Sequence, residues 1–162
     1  MKILFEPIGY IHTSFTNLSG MPIQPSSAKS AKGTIELKKE FTKALDDLNG
    51  FSHIYLIYYF HKSKSFNLKV KPFLDDVKRG LFATRSPCRP NSIGLSVVRL
   101  ISIKDNILRI ENIDVLDGTP LLDIKPFIGQ IEPLQNIKIG WLETRFENFQ
   151  TQNSDDRFKK MQ

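Results

Sequence analysis

Cysteine is nearly absent from this 162-residue chain: Cys88 stands alone, so no internal disulfide and no thiolate metal cluster can form. Histidine is scarce as well. His12, His53 and His61 show none of the spacing of a His-Glu-x-x-His motif, and no metal is expected. There is no long apolar run, the longest being Ile54 to Phe60, far short of a membrane span. The opening residues, Met1-Lys2-Ile3-Leu4-Phe5-Glu6-Pro7, lack the apolar stretch and small-residue cleavage site of a secretory signal. These absences point to a reducing, cytoplasmic setting away from membranes. A Gly-x-Gly-x-x-Gly loop, an internal repeat and an alternating strand–helix series are missing too, which argues against a Rossmann fold.

What is present is enough apolar sequence, 40% of the chain, for one globular core. The pattern is rich in strands. Ile3 to Ile11 predicts a strand with Pro7 at an edge or bulge, and Gly33 to Leu37 alternates as a half-buried strand does. His53 to Phe60, apolar on both faces, predicts a central strand that keeps His53 as a hydrogen-bonded core residue. Further strands are expected at Arg79 to Ala83, Leu95 to Ser102, Ile107 to Ile113 and Ile137 to Leu142, with a tight turn at Asp105-Asn106. Lys38 to Leu48 places Phe41, Leu45 and Leu48 on one helical face and ends at Asn49-Gly50. Many strands and one principal helix predict a mainly β protein built on a small antiparallel β-barrel. Residues 1–145 are expected to form that domain and residues 146–162 a polar tail.

Charge is unevenly placed. The net charge is +6, yet residues 61–99 alone hold nine Lys/Arg against two Asp/Glu. All the positive excess therefore lies in one quarter of the chain, which suits a polyanion; a solvated lysine-rich face is the plainer alternative. The same quarter holds Thr84-Arg85-Ser86-Pro87-Cys88-Arg89-Pro90-Asn91-Ser92, between apolar runs at Leu81 to Ala83 and Ile93 to Leu100. A loop needing only to reverse the chain would use Asn-Gly or Asp-Gly. Two arginines and an asparagine on a proline-stiffened backbone instead offer directional donors, which reads as a binding site. Cys88 lies within it without an evident base and reads as a passenger.

That segment resembles the signature of the TrmO family of tRNA methyltransferases, a Phe-Ala-Thr-Arg-Ser run leading into Arg-Pro-Asn and Ile-Gly. Two further blocks resemble the family in its order. They are Leu48-Asn49-Gly50-Phe51-Ser52-His53 with Phe60-His61-Lys62, and Asp114-Val115-Leu116-Asp117-Gly118-Thr119-Pro120 with Leu122-Asp123-Ile124-Lys125-Pro126-Phe127. The resemblance, covering about residues 1–130, implies a small β-barrel binding S-adenosyl-L-methionine, a homodimer, and methyl transfer to N6 of threonylcarbamoyladenosine beside the tRNA anticodon.

Carried over block by block, it implies a cofactor site made by Pro25, Ser26, Ser27, His61, Lys62, Ser86, Ser96, Asn112, Ile113, Asp114 and Val115. Arg85, Arg89 and Asn91 would meet RNA phosphate, the threonyl carboxylate or a base edge, since guanidinium suits planar acceptors. No general base is implied. Each residue also has a plainer reading: His61 as the polar end of an apolar strand, Asp114 and Asp117 as turn formers before Gly118, Asp123 and Lys125 as a cross-strand ion pair. The chain departs from the family at Ile23, where arginine is usual, at Asp75-Asp76-Val77-Lys78 in place of a glycine-rich approach, and at Ser92 in place of proline. A non-catalytic RNA-binding barrel would show several aromatics on one strand face, and Tyr55, Tyr58 and Tyr59 do not alternate cleanly. A methyltransferase for a small molecule would leave the basic segment without a use.

Overall fold

The computed structural model describes residues 1–18, 30–131 and 137–143. Eight strands run β1 (Gly9–Thr13), β2 (Lys32–Leu37), β3 (His53–Tyr59), β4 (Lys69–Val70), β5 (Arg79–Gly80), β6 (Ile93–Lys104), β7 (Ile107–Glu111) and β8 (Thr119–Pro126). Six of them close into an antiparallel barrel in the order β1-β2-β7-β6-β3-β8, and β4 and β5 form a separate two-stranded ribbon. Closure removes the unpaired sheet edges that otherwise invite aggregation.

Period-2 alternation decides which side chains fill the barrel. On β3, Ile54, Leu56 and Tyr58 point in, while His53, Tyr55, Ile57 and Tyr59 point out. Opposite them on β6, Gly94, Ser96 and Val98 point in. Ile11, Ile35, Leu108, Ile110 and Leu121 complete the interior, and Ile113 and Val115 pack down on it from the segment after β7. Leu45 covers the barrel from the segment between β2 and β3. A second, smaller core of Val70, Leu81 and Cys88, with Phe73 against it, lies under the signature loop.

Several expectations are corrected. Met1 to Glu6 is exposed and the first strand begins only at Gly9, since its pairing with β8 starts there. The segment after β2 is a 3₁₀ helix, Lys39–Leu45, followed by a separate 3₁₀ turn at Leu48–Gly50; Asp47, at positive φ, breaks the two apart. Leu81–Ala83 is also 3₁₀, because Thr84 Oγ1 donates to the Leu81 carbonyl at 2.8 Å and closes a turn there. Residues 137–143 contain a 3₁₀ turn at Gly140–Leu142 where a strand was expected. His53 is on the outer face, with Nδ1 2.9 Å from Ser52 Oγ and its ring edge-on to Phe127. Asp123 and Lys125 pair at 2.9 Å along one strand, not across two. The turn at Asp105-Asn106 forms as expected, and Asn106 Nδ2 ties it to the Leu37 carbonyl at 2.6 Å. The polar tail, 146–162, lies outside the described residues.

The topology sorts connections by end. β1 ends, β2 begins, β3 ends, β6 begins, β7 ends and β8 begins at the same end of the barrel, as the registers Thr13↔Gly33, Lys32↔Glu111, Tyr59↔Ile93 and Ile11↔Thr119 require. Three connections, residues 14–31, 60–92 and 112–118, therefore all begin and end there.

Candidate active site

The residues expected at a cofactor or RNA site come from those three connections and from the first half of β6. Pro25, Ser26 and Ser27, with Ile23, lie outside the described residues, but both arms of their connection are seen. Asp117 N–H donates to the Phe15 carbonyl at 2.8 Å, and Ser30 N–H donates to Asn112 Oδ1 at 3.1 Å. Thr13 Oγ1 donates to the Val115 carbonyl at 2.8 Å, and its N–H to Asp117 Oδ1 at 3.1 Å. The connection after β1 is thus laced to the one before β8. Asn112 takes a left-handed φ of 63°, a conformation asparagine tolerates, and Gly118, at φ 72°, closes the segment. Ile113 and Val115 bury their side chains in the core, so what they can offer a ligand is backbone.

Asp114 points the other way and meets β6. Ser96 Oγ donates to Asp114 Oδ1 at 2.8 Å, and the Tyr58 hydroxyl lies 3.0 Å from Ser96 Oγ. Burial pushes the Asp114 carboxyl up to about 6, and the Ser96 hydrogen bond and the Arg85 charge only partly offset this. Arg85 leaves the signature loop exposed, with Nη2 donating to the Leu95 carbonyl at 2.9 Å. The site therefore holds a desolvated carboxyl with a hydroxyl donor on one oxygen and a cation nearby. Such a carboxyl is suited to accept from ligand hydroxyl or ammonium groups.

His61 closes the same end from β3. Its Nδ1 is 3.5 Å from Thr119 Oγ1, at the start of β8, and burial followed by the Lys62 charge lowers its pKa, leaving the ring neutral at pH 7. Lys62 is exposed. In the signature loop the side chains divide. Ser86 is buried and its Oγ accepts the Cys88 N–H at 3.4 Å, while Arg89 Nη1 donates to the Thr84 carbonyl at 2.9 Å with the guanidinium over the Phe82 ring. Arg89 thus also holds the loop in shape. Asn91 is exposed at the tip. Cys88 is fully buried and its thiol is pushed up by burial, as a passenger residue should be.

Two residues with evident roles were not expected. Tyr58, one of three tyrosines on β3, is in step with Ile54 and Leu56, which puts it inside the barrel. Asp75, noted as a departure, is buried and receives Arg79 Nε and Nη2 at 2.8 and 2.6 Å. Arg79 in turn lies over Trp141, whose Nε1 donates to the Ala83 carbonyl at 2.8 Å. This chain of contacts supports the start of the signature loop at the place where the chain departs from the family's glycine-rich approach. Among the described residues no group of three His, Cys, Asp or Glu side chains is placed to hold a metal, and no helix is long and apolar enough to cross a membrane.

A closed antiparallel six-stranded barrel, with three connections beginning and ending at one end beside the half-buried Asp114, defines a small non-Rossmann β-barrel protein. Residues 10–132 match the family described as the tRNA-methyltransferase O N-terminal domain, and the chain belongs to that family. It is 49% identical over 158 residues to a protein of Pyrococcus abyssi named a "Probable S-adenosyl-L-methionine-binding protein", covering 98% of this chain and 86% of that one. It is 34% identical over 156 residues to the human tRNA (adenine(37)-N6)-methyltransferase, covering 92% of this chain but only 35% of the human protein. A crystal structure of TrmO, 41% identical, superposes with a TM-score of 0.74 over 86% of this chain and 64% of that one.

Proposed function

We propose that the chain is an S-adenosyl-L-methionine-dependent methyltransferase acting on tRNA, at N6 of threonylcarbamoyladenosine next to the anticodon. The observation that carries this reading is the convergence of one part of each resemblance block, His61, Arg85 to Ser96 and Asp114 to Thr119, on one barrel end. S-adenosyl-L-methionine, when bound, supplies an electrophilic methyl group on a sulfonium. Its donor needs fit the residues present: Asp114 would accept from hydroxyl or ammonium groups, and Asn112, Ile113 and Val115 would present backbone. Pro25, Ser26, Ser27, His61, Lys62 and Ser86 would complete the cofactor site. Arg85, Arg89 and Asn91 would face the RNA.

The chemistry asked of these residues is mainly alignment. Holding two reactants in line lowers the barrier substantially without an acid or base. A nitrogen linked to a carbamoyl group gives up its proton more readily than a free adenine amine, so no strong base is required. The basic segment would supply RNA affinity: Lys62, Lys64, Lys69 and Lys78, all exposed, lie on the same connection as the signature loop. The reading includes a cytoplasmic location, with the domain ending near residue 145, and a homodimer, whose combined surface suits an anticodon arm.

Incubation with tRNA bearing threonylcarbamoyladenosine and S-adenosyl-L-methionine, followed by mass analysis of the nucleosides, tests the proposal. A threonylcarbamoyladenosine one methyl heavier is expected. Cofactor binding with no transfer to any tRNA would leave the non-catalytic alternative standing.

A further inference from the structure

The phenol of Tyr58 has no part in the function proposed above, yet the barrel is shaped around it. Its ring faces Gly94, its direct partner in register, and any Cβ at Gly94 would collide with that ring. Phe60 braces it edge-on, with ring centroids 5.3 Å apart. Held this way, the hydroxyl meets Ser96 Oγ at 3.0 Å, and Ser96 Oγ meets Asp114 Oδ1 at 2.8 Å. Three side chains from β3, β6 and the segment before β8 thus form one line.

The direction of that line follows from counting protons. Ser96 has a single hydroxyl proton, and an ionised Asp114 only accepts, so that proton goes to Asp114 and Ser96 must receive one from Tyr58. Tyr58 can always give it, because burial first, and then the Asp114 charge, keep the phenol protonated far above its ordinary range. We propose that Tyr58 is a positioning residue that acts through Ser96 to aim the Asp114 carboxylate and polarise the donor it receives. A buried tyrosine needs some hydrogen-bond partner in any fold. What distinguishes this one is that the partner passes the bond on to the carboxylate at the candidate ligand site. The charged group that also acts on both Asp114 and Tyr58 is Arg85 of the signature loop. Asp117, three residues on, is directed to Thr13 and His12 instead.

The inference rests on Asp114 being the cofactor-facing carboxylate, but its first test does not. The Asp114 side-chain carboxyl is titrated by carbon-13 NMR in ligand-free protein. Tyr58→Phe keeps the ring and removes the donor, so the Asp114 midpoint should rise by about half a pH unit or more, since a hydrogen bond to the charged form favours it. Replacing Tyr58 with a ring-fluorinated tyrosine, a stronger donor of nearly the same shape, should lower the midpoint and provides the test if Tyr58→Phe does not fold. In a Ser96→Ala background neither change should move it. An unmoved midpoint in a folded variant, or a shift that survives Ser96→Ala, overturns the relay. S-adenosyl-L-methionine affinity should follow the same midpoint in each variant. If the NMR midpoint moves while affinity ignores pH, the relay stands and the assignment of Asp114 to the cofactor falls.

Discussion

The two ends of the barrel are built from the same strands and differ in almost everything else. At one end the connections are locally ordered: Asp105-Asn106 turns β6 into β7 in two residues, and two 3₁₀ segments occupy most of residues 38–52 between β2 and β3. Its polar groups close on the backbone, as Asn106 does on Leu37. At the other end three connections begin and end, and polar groups from them and from the adjoining strands bond to one another across the fold, Ser30 to Asn112, Thr13 to Asp117, Ser96 to Asp114. That end also keeps a desolvated carboxyl that no cation neutralises by direct contact among the described residues, an arrangement that costs stability and suits the proposed cofactor site. The difference separates residues that make the barrel from those proposed to use it.

Substitutions should respect this division. The largest loss of stability is expected from the shared interior: Ile54→Ala, at a fully buried site, should cost roughly 2–5 kcal/mol in a denaturant titration, the usual range for emptying a core position. Next comes Asp114→Asn, which should weaken S-adenosyl-L-methionine by a factor of about 10 to 100, the worth of hydrogen bonds to a charged group. Its effect on stability should have the opposite sign. With the folded carboxyl raised to about 6, the stability Asp114 contributes is present below its ordinary 3.8 and lost as pH rises through 6. At pH 7.5 the asparagine variant should therefore be as stable as the parent or more so. Asn106→Ala, at the opposite end, should cost about 1 kcal/mol of stability by freeing the Leu37 carbonyl and leave cofactor affinity unchanged. The smallest effect is expected at Asp123→Asn on the outer face, under about 1 kcal/mol for an exposed ion pair. If Asn106→Ala altered cofactor affinity, the two ends would not be functionally separate.

The arginines sharpen the comparison within the loop end. Arg89 is tied to Thr84 and Phe82, whereas Arg85 reaches Leu95 and the field around Asp114. Arg85→Ala should therefore affect cofactor and tRNA together. Arg89→Ala should reduce tRNA binding more than cofactor binding, and the remaining tRNA affinity should still fall steeply with salt. Filter binding at two ionic strengths reads both.

Much of this was legible in the sequence because strands announce themselves by alternation. Gly33 to Leu37, His53 to Phe60 and the hairpin around Asp105-Asn106 came through clearly, as did the closed, strand-dominated architecture. The misreadings share a cause: short apolar runs do not declare their backbone. Leu81-Phe82-Ala83 has the composition of a strand, but the Thr84 hydroxyl folds it into a 3₁₀ turn. Lys38 to Leu48 has helical spacing, but it is too short and too interrupted at Asp47 to propagate an α-helix. β8 is hard to see in the sequence because Pro120, Asp123 and Lys125 interrupt its apolar pattern, although Thr119 and Leu121 alternate inward. Within the site, individual residues such as Asp114 and Ser96 could be nominated from blocks of resemblance, but their meeting depends on register between β6 and the segment after β7. Tyr58 was hidden among its neighbours for the same reason: in Ile54-Tyr55-Leu56-Ile57-Tyr58-Tyr59 only the face decides which tyrosine matters.

The central claim is that the loop-bearing end is a cofactor site organised on the Asp114 carboxylate. Calorimetric titration of the parent and of Asp114→Asn with S-adenosyl-L-methionine, across pH 5 to 8, tests it most directly. The account predicts saturable binding by the parent that tightens as pH rises through about 6 and levels off above it, with weak, pH-independent binding by the variant. Equal affinity in the two proteins at every pH, or no binding by the parent at millimolar cofactor, would contradict it.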